Sequence, residues 1–253
     1  MVSRRSPWLR WAAVFGLLAL AAQAGRADDD AATDGVGIER GVTRLICAHE
    51  ALGYRMRSRA FIVDVGSSWS DADLVVAPAH VLPSDARRIV EDCFIVGSGG
   101  IDVRIAHFVL PEAHTDLYDD WIVLVTAGPF EGNVGRLRIA ALAPDALERM
   151  IHERASLRLM MYSASAEQDD CVFAPNYSTA KELELGVFVH SCRTWEGTSG
   201  APIVVDIDGA PVVIAMNIGR RLSLSSEASR HYVSLGLALS EDLTAAIRGA
   251  VLP

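Results

Sequence analysis

The chain almost lacks lysine. Lys181 is the single one in 253 residues, and arginine supplies the rest of the 23 basic side chains against 32 acids. The formal charge is −9, which makes nucleic acid or an anionic membrane a poor main partner. None of the four cysteines, Cys47, Cys93, Cys171 and Cys192, falls in the C-x-x-C spacing of a zinc or redox site. H-E-x-x-H is absent, and His107, His114 and His190 are scattered on strand-like or loop segments, so no metal and no cofactor are expected. An α/β-hydrolase needs Gly-x-Ser-x-Gly in the order Ser…Asp…His, but Ala201 stands where the second Gly should be and only His231 follows Ser199. Beyond Ala24, no apolar stretch approaches the roughly 20 residues that span a bilayer.

The first residues differ from the rest. Arg4, Arg5 and Arg10 introduce an uncharged stretch, Trp11 to Ala24, that ends in small residues. This is the form of a cleavable export signal, residues 1–27, followed by an acidic leader, 28–40. The signal holds four arginines and no acid, so its removal takes the formal charge from −9 to −13. The mature chain is expected to be periplasmic or secreted, with no membrane attachment. In an oxidising compartment four cysteines favour two disulfides, with three pairings open.

Short runs rich in Val, Ile and Phe, separated by turn residues, predict strands at 42–49, 59–65, 73–79, 93–97, 102–110 and 121–127. A second series is predicted at 156–163, 170–175, 185–191, 201–207, 210–219 and 232–239. Helical spacing is confined to 143–155, between the two series, and to 240–252, where Ser240 is a capping residue and Leu243, Ile247 and Val251 recur every fourth position. Six strands, a connector, six strands and a terminal helix describe an all-β chain of two six-stranded antiparallel β-barrels with a C-terminal α-helix. The barrels are expected at 41–135 and 136–253.

"TWEGTSGAPIV" (194–204) sets Ser199 between turn glycines just before an apolar run. A serine nucleophile needs a base, and the base needs an orienting acid. His80 ends the apolar run "LVVAPAH", where small neighbours leave room around the ring. "LYDDWIVLV" places Asp119 and Asp120 before a strand. Asp120, which abuts the strand, is the expected acid, with Asp119 and then Asp116 as alternatives. Each residue alone is better explained as a cap, a turn or a packed side chain; the order His…Asp…Ser, split across the two strand series, favours the joint reading.

"APAH", "DWIVL" and "GTSGAP" together resemble the motifs of the chymotrypsin-like serine peptidases, specifically their exported bacterial branch, over about residues 40 to 250. Pro78 departs from the family's Thr-Ala-Ala-His. The resemblance implies two barrels with the site in the cleft between them. It makes Ser199 the nucleophile, His80 the base and Asp120 its orienting acid, with the N–H groups of Gly197 and Ser199 binding the oxyanion. Thr198 stands where digestive members carry the aspartate that pairs with a new amino terminus, so activation by that route is not expected. The cysteines fit as well. A Cys171–Cys192 bridge would brace the serine loop, leaving Cys47 and Cys93 to pair in the first barrel.

The resemblance also places a substrate pocket at Arg193, Thr194, Asn217 and Gly219. Arg220 and Arg221 stand near its mouth. An arginine six positions before the serine argues against cleavage after Lys or Arg and for an acidic or small polar side chain. The implied protein is a monomeric endopeptidase acting on polypeptide. The alternative is a catalytically inactive binding module on the same fold.

Overall fold

In the computed structural model of the chain, the described residues are 38–49, 53–66, 71–83, 85, 88–97, 100–111, 117–161, 168–225 and 229–251. The expected signal, most of the leader, and Asp116 lie outside them. No helix among the described residues is long and apolar enough to cross a membrane.

Among the described residues there are twelve strands. The first six are β1 (Val42–His49), β2 (Tyr54–Val63), β3 (Leu74–Ala77), β4 (Cys93–Val96), β5 (Asp102–Val109) and β6 (Ile122–Thr126). They close into an antiparallel barrel in the order β1-β2-β3-β6-β5-β4, with β1 pairing to both β2 and β4. The other six are β7 (Ser156–Leu159), β8 (Gln168–Val172), β9 (Val187–His190), β10 (Pro202–Ile207), β11 (Ala210–Ser225) and β12 (Ser229–Ala238). They form a sheet in the order β8-β7-β10-β11-β12-β9.

Among the described residues this second sheet is not closed by a strand ladder, so the full second barrel expected is not shown. Its edges β8 and β9 meet at one bridge, Phe173 with His190, and at the Cys171–Cys192 disulfide. Pro175 lies two residues past the bridge and has no N–H to extend it. In the barrel, Cys47 and Cys93 stand directly opposite each other on β1 and β4 and are bonded, with Cα atoms 4.1 Å apart.

The apolar runs are explained by burial on both faces. In β3, Val75 and Ala77 fill the barrel interior with Leu45, Ile62 and Leu124. Leu74 and Val76 point the other way and pack with Val189, Val213, Met216 and Leu235 of the second sheet. Such strands read as continuous hydrophobic runs rather than as alternation. The helix Glu241–Val251 lays Leu243 and Ile247 into the same shared core. Its N-terminus is capped by Ser240, whose Oγ accepts the Leu243 N–H at 3.1 Å. The connector helix, Pro144–His152, buries Leu147 and Ile151 in the core of the second sheet.

Asp73, which the sequence did not single out, is a structural acid. Its buried carboxylate accepts the Phe130 N–H at 2.7 Å and two bonds from Arg136, at 2.7 and 3.1 Å. It ties the start of β3 to the segment leaving the barrel, where the Leu137 N–H then donates to Ile62.

Candidate active site

Strand pairing brings His80 and Asp120 together. Ala77 of β3 lies opposite Ile122 of β6. His80 comes three residues after the first, on the short 3₁₀ turn Ala79–Val81, and Asp120 two before the second. Asp120 is buried and grips His80 at two points. Its Oδ1 accepts the His80 backbone N–H at 2.8 Å, and its Oδ2 lies 2.6 Å from Nδ1. A carboxylate only accepts, so in the neutral imidazole the Nδ1 facing it carries the proton and the lone pair is on Nε2. The His80 side chain is 40% exposed. Asp119 ends a neighbouring 3₁₀ turn, Leu117–Asp119, and its carbonyl accepts the Trp121 N–H.

The serine loop is pressed against the same region. The Arg59 N–H donates to the Ser199 carbonyl at 2.6 Å. Gly200 has φ +83°, and a β-carbon placed on it would lie 1.9 Å from the Arg59 carbonyl oxygen and 2.7 Å from Pro78 Cδ. Only glycine fits there. Pro78, the departure from the family's histidine motif, is therefore a packing partner of the serine loop two residues before His80.

The loop's N–H groups alternate. Thr198 donates to Trp195 O at 3.1 Å and Gly200 to Asn217 O at 2.6 Å. Among the described residues, the N–H groups of Gly197 and Ser199 donate to nothing. Gly197 has φ +84°, a conformation glycine adopts cheaply. Two N–H groups without an acceptor among the described residues thus flank the buried Thr198 in the chain, and backbone donors of this kind are what a developing negative charge requires.

Thr198 is held by neutral partners. Its hydroxyl donates to Trp195 O at 2.7 Å. The Asn217 side chain donates to Thr198 O at 3.1 Å, and Asn217 is fully buried. Its Oδ1 lies 3.2 Å from His190 Nε2. The Asn217 amide N is committed to Thr198, so Oδ1 is the acceptor and His190 Nε2 the donor. Asn217, expected in the pocket, thus sits behind the serine loop and fastens it. His190, set aside in the sequence, is its partner.

Burial, the largest cause, lowers the His190 pKa from 6.5 to about 4, against the smaller raising effect of the nearby Asn217 side chain and Leu235 backbone. The unfolded chain takes up this proton near pH 6.5 and the folded chain only near 4. Between those values the unfolded state binds more protons, so stability falls as pH drops. The full loss, reached below pH 4, is about 3 kcal/mol at ~1.36 kcal/mol per pH unit. Urea midpoints measured between pH 7.5 and 4 should show a shallower acid slope in His190→Gln than in the parent. Parallel slopes would contradict this.

The other pocket residues are placed as follows. Arg193 is exposed rather than buried at a pocket base, and it is engaged in an interaction of its own. Ser234 Oγ donates to Cys192 O at 2.7 Å, so Thr194 Oγ1, at 2.8 Å, donates to Ser234. Gly219, φ +145°, lies at an irregularity between β11 and β12 with open space where a side chain would be. Arg221 pairs with Glu182 and donates to the Tyr177 carbonyl, while the Arg220 guanidinium lies 4.8 Å from the Tyr232 ring centroid.

A closed six-stranded antiparallel barrel beside a second antiparallel sheet, with His80 and Asp120 at the end of one and Ser199 just before β10 of the other, is compatible with the chymotrypsin-like two-barrel architecture. No protein-family model matches the chain, and no curated protein matches it in sequence.

Proposed function

We propose that the chain is a serine endopeptidase of the chymotrypsin-like class. The observation that carries the reading is the pairing of a two-point Asp120–His80 contact with a serine loop whose Gly197 and Ser199 N–H groups have no acceptor among the described residues. In this reading Ser199 Oγ attacks the scissile carbonyl and His80 Nε2 takes its proton. The carbonyl oxygen, now an anion, is held by the N–H groups of Gly197 and Ser199. Collapse breaks the C–N bond, and His80 returns the proton to the leaving amine. Water then hydrolyses the acyl-enzyme by the same route, with His80 as base. Asp120 keeps the proton on Nδ1 throughout and stabilises the imidazolium.

Export to an oxidising compartment accompanies the proposal. Two disulfides and no free cysteine among the described residues support it, as does the signal-like start of the sequence. The substrate is polypeptide, the protein acts as a monomer, and no cofactor is required.

Casein hydrolysis tests the activity. The parent should cleave it, and Ser199→Ala should lose about 10⁴-fold or more in rate. An unaltered rate in Ser199→Ala would end the proposal.

A further inference from the structure

Arginines that could draw an acidic substrate were expected at Arg193, Arg220 and Arg221, but each has an interaction of its own. A different set stands beside the serine loop. On β2, Arg55, Arg57 and Arg59 alternate with Met56, Ser58 and Ala60, and Ser58 and Ala60 are buried, so the three arginines share the outer face. Arg44 of β1 lies directly opposite Arg59. Arg44 and Arg59 have partners. Arg55 and Arg57 are exposed, and no group among the described residues pairs with either.

Like charges gathered on one strand face destabilise it. The chain has an excess of acids, and five other arginines, at 88, 136, 149, 158 and 221, do find one. The row on β2 also has a position. The Arg59 N–H holds Ser199 O, and the Arg57 carbonyl oxygen is the heavy atom nearest the outward direction of Gly197, 4.0 Å from a β-carbon built there. Gly200 is gripped from two sides, by Arg59 of β2 and by the Asn217 carbonyl of β11. A polypeptide crossing Ser199 therefore has β11 on one flank and β2 on the other. If the half that becomes the acyl group lies along β11, the half that leaves lies along β2.

We propose that Arg55 and Arg57 form a subsite for acidic side chains on the part of a polypeptide substrate that follows the scissile bond. This rests on the peptidase reading and adds a substrate class to it. Guanidinium groups pair with carboxylates through two parallel hydrogen bonds, and an exposed row also steers an acidic chain towards Ser199.

The test uses peptides that share the sequence before a cut mapped in casein and carry either Asp/Glu or Asn/Gln at the second to fourth positions after it. In the parent, kcat/KM should be about tenfold higher for the acidic set at low salt, with the ratio falling towards one in about 0.5 M NaCl. In Arg55→Gln/Arg57→Gln the ratio should be near one at both salt concentrations. Cleavage by the parent without acidic preference, or a preference that survives in the double variant, overturns the subsite alone. No cleavage of any peptide by the parent overturns the peptidase reading with it.

Discussion

Asp120→Asn should lower the rate of peptide hydrolysis by about 10⁴-fold, while Asp119→Asn changes it little. The reason is the two-point grip. The His80 backbone N–H needs an acceptor and would hold the carbonyl oxygen of the new amide in the place of Oδ1. The amide NH₂ would then face Nδ1, which must become an acceptor. The ring proton moves to Nε2, and the base has no lone pair for the serine proton. Asp119 has no such link to His80; its contact is a backbone one to Trp121. Steady-state rates on one peptide, with circular dichroism to establish that both variants fold, separate the two. Equal losses in both variants would contradict the geometry.

Gly200→Ala should be the most damaging substitution of a small residue. The conformation at φ +83° alone costs roughly 1–2 kcal/mol with a β-carbon present. The contact at 1.9 Å with the Arg59 carbonyl forces strand and loop apart, which adds at least a comparable amount. A destabilisation of about 3 kcal/mol or more is expected. Molecules that do fold have Ser199 displaced, and a shift of about 1 Å costs about 10²-fold in rate. Gly209 is the control. It has φ +77° but nothing within 4 Å of a built β-carbon, so Gly209→Ala should carry the conformational cost only. Urea unfolding and hydrolysis rates of the two variants give the comparison. Equal stability and equal activity would show that the close approach at Gly200 does not matter.

All twelve strands were legible in the sequence as elements, and β1 matches its expected bounds. Two were cut short for the same reason. β2 begins at Tyr54 rather than 59, and β11 runs to Ser225 rather than 219, because "YRMRSR" and "RRLSLS" are too polar to look like strands. Pairing along β1 and β12 keeps these segments extended where composition alone does not. The disulfide partners match those the family resemblance implies.

That Asp120 rather than Asp119 contacts His80 follows from adjacency to β6, which fixes which carboxylate meets the end of β3. What could not be read was depth. Asn217 sits on the strand expected to line the pocket, but full burial turns its amide onto the back of the serine loop. His190 looked like one of several scattered histidines until β12 and β9 paired and enclosed it. Asp73 gave no signal at all, since its partners Phe130 and Arg136 lie more than fifty residues away.

A fluorophosphonate probe tests the central claim most directly, because it bonds only to a serine hydroxyl activated by a base beside an anion site. Peptide mapping after labelling should place the adduct on Ser199 in the parent. Labelling should be absent in Ser199→Ala and strongly slowed in His80→Ala. A folded parent that takes no label, or takes it on another serine, would contradict the account.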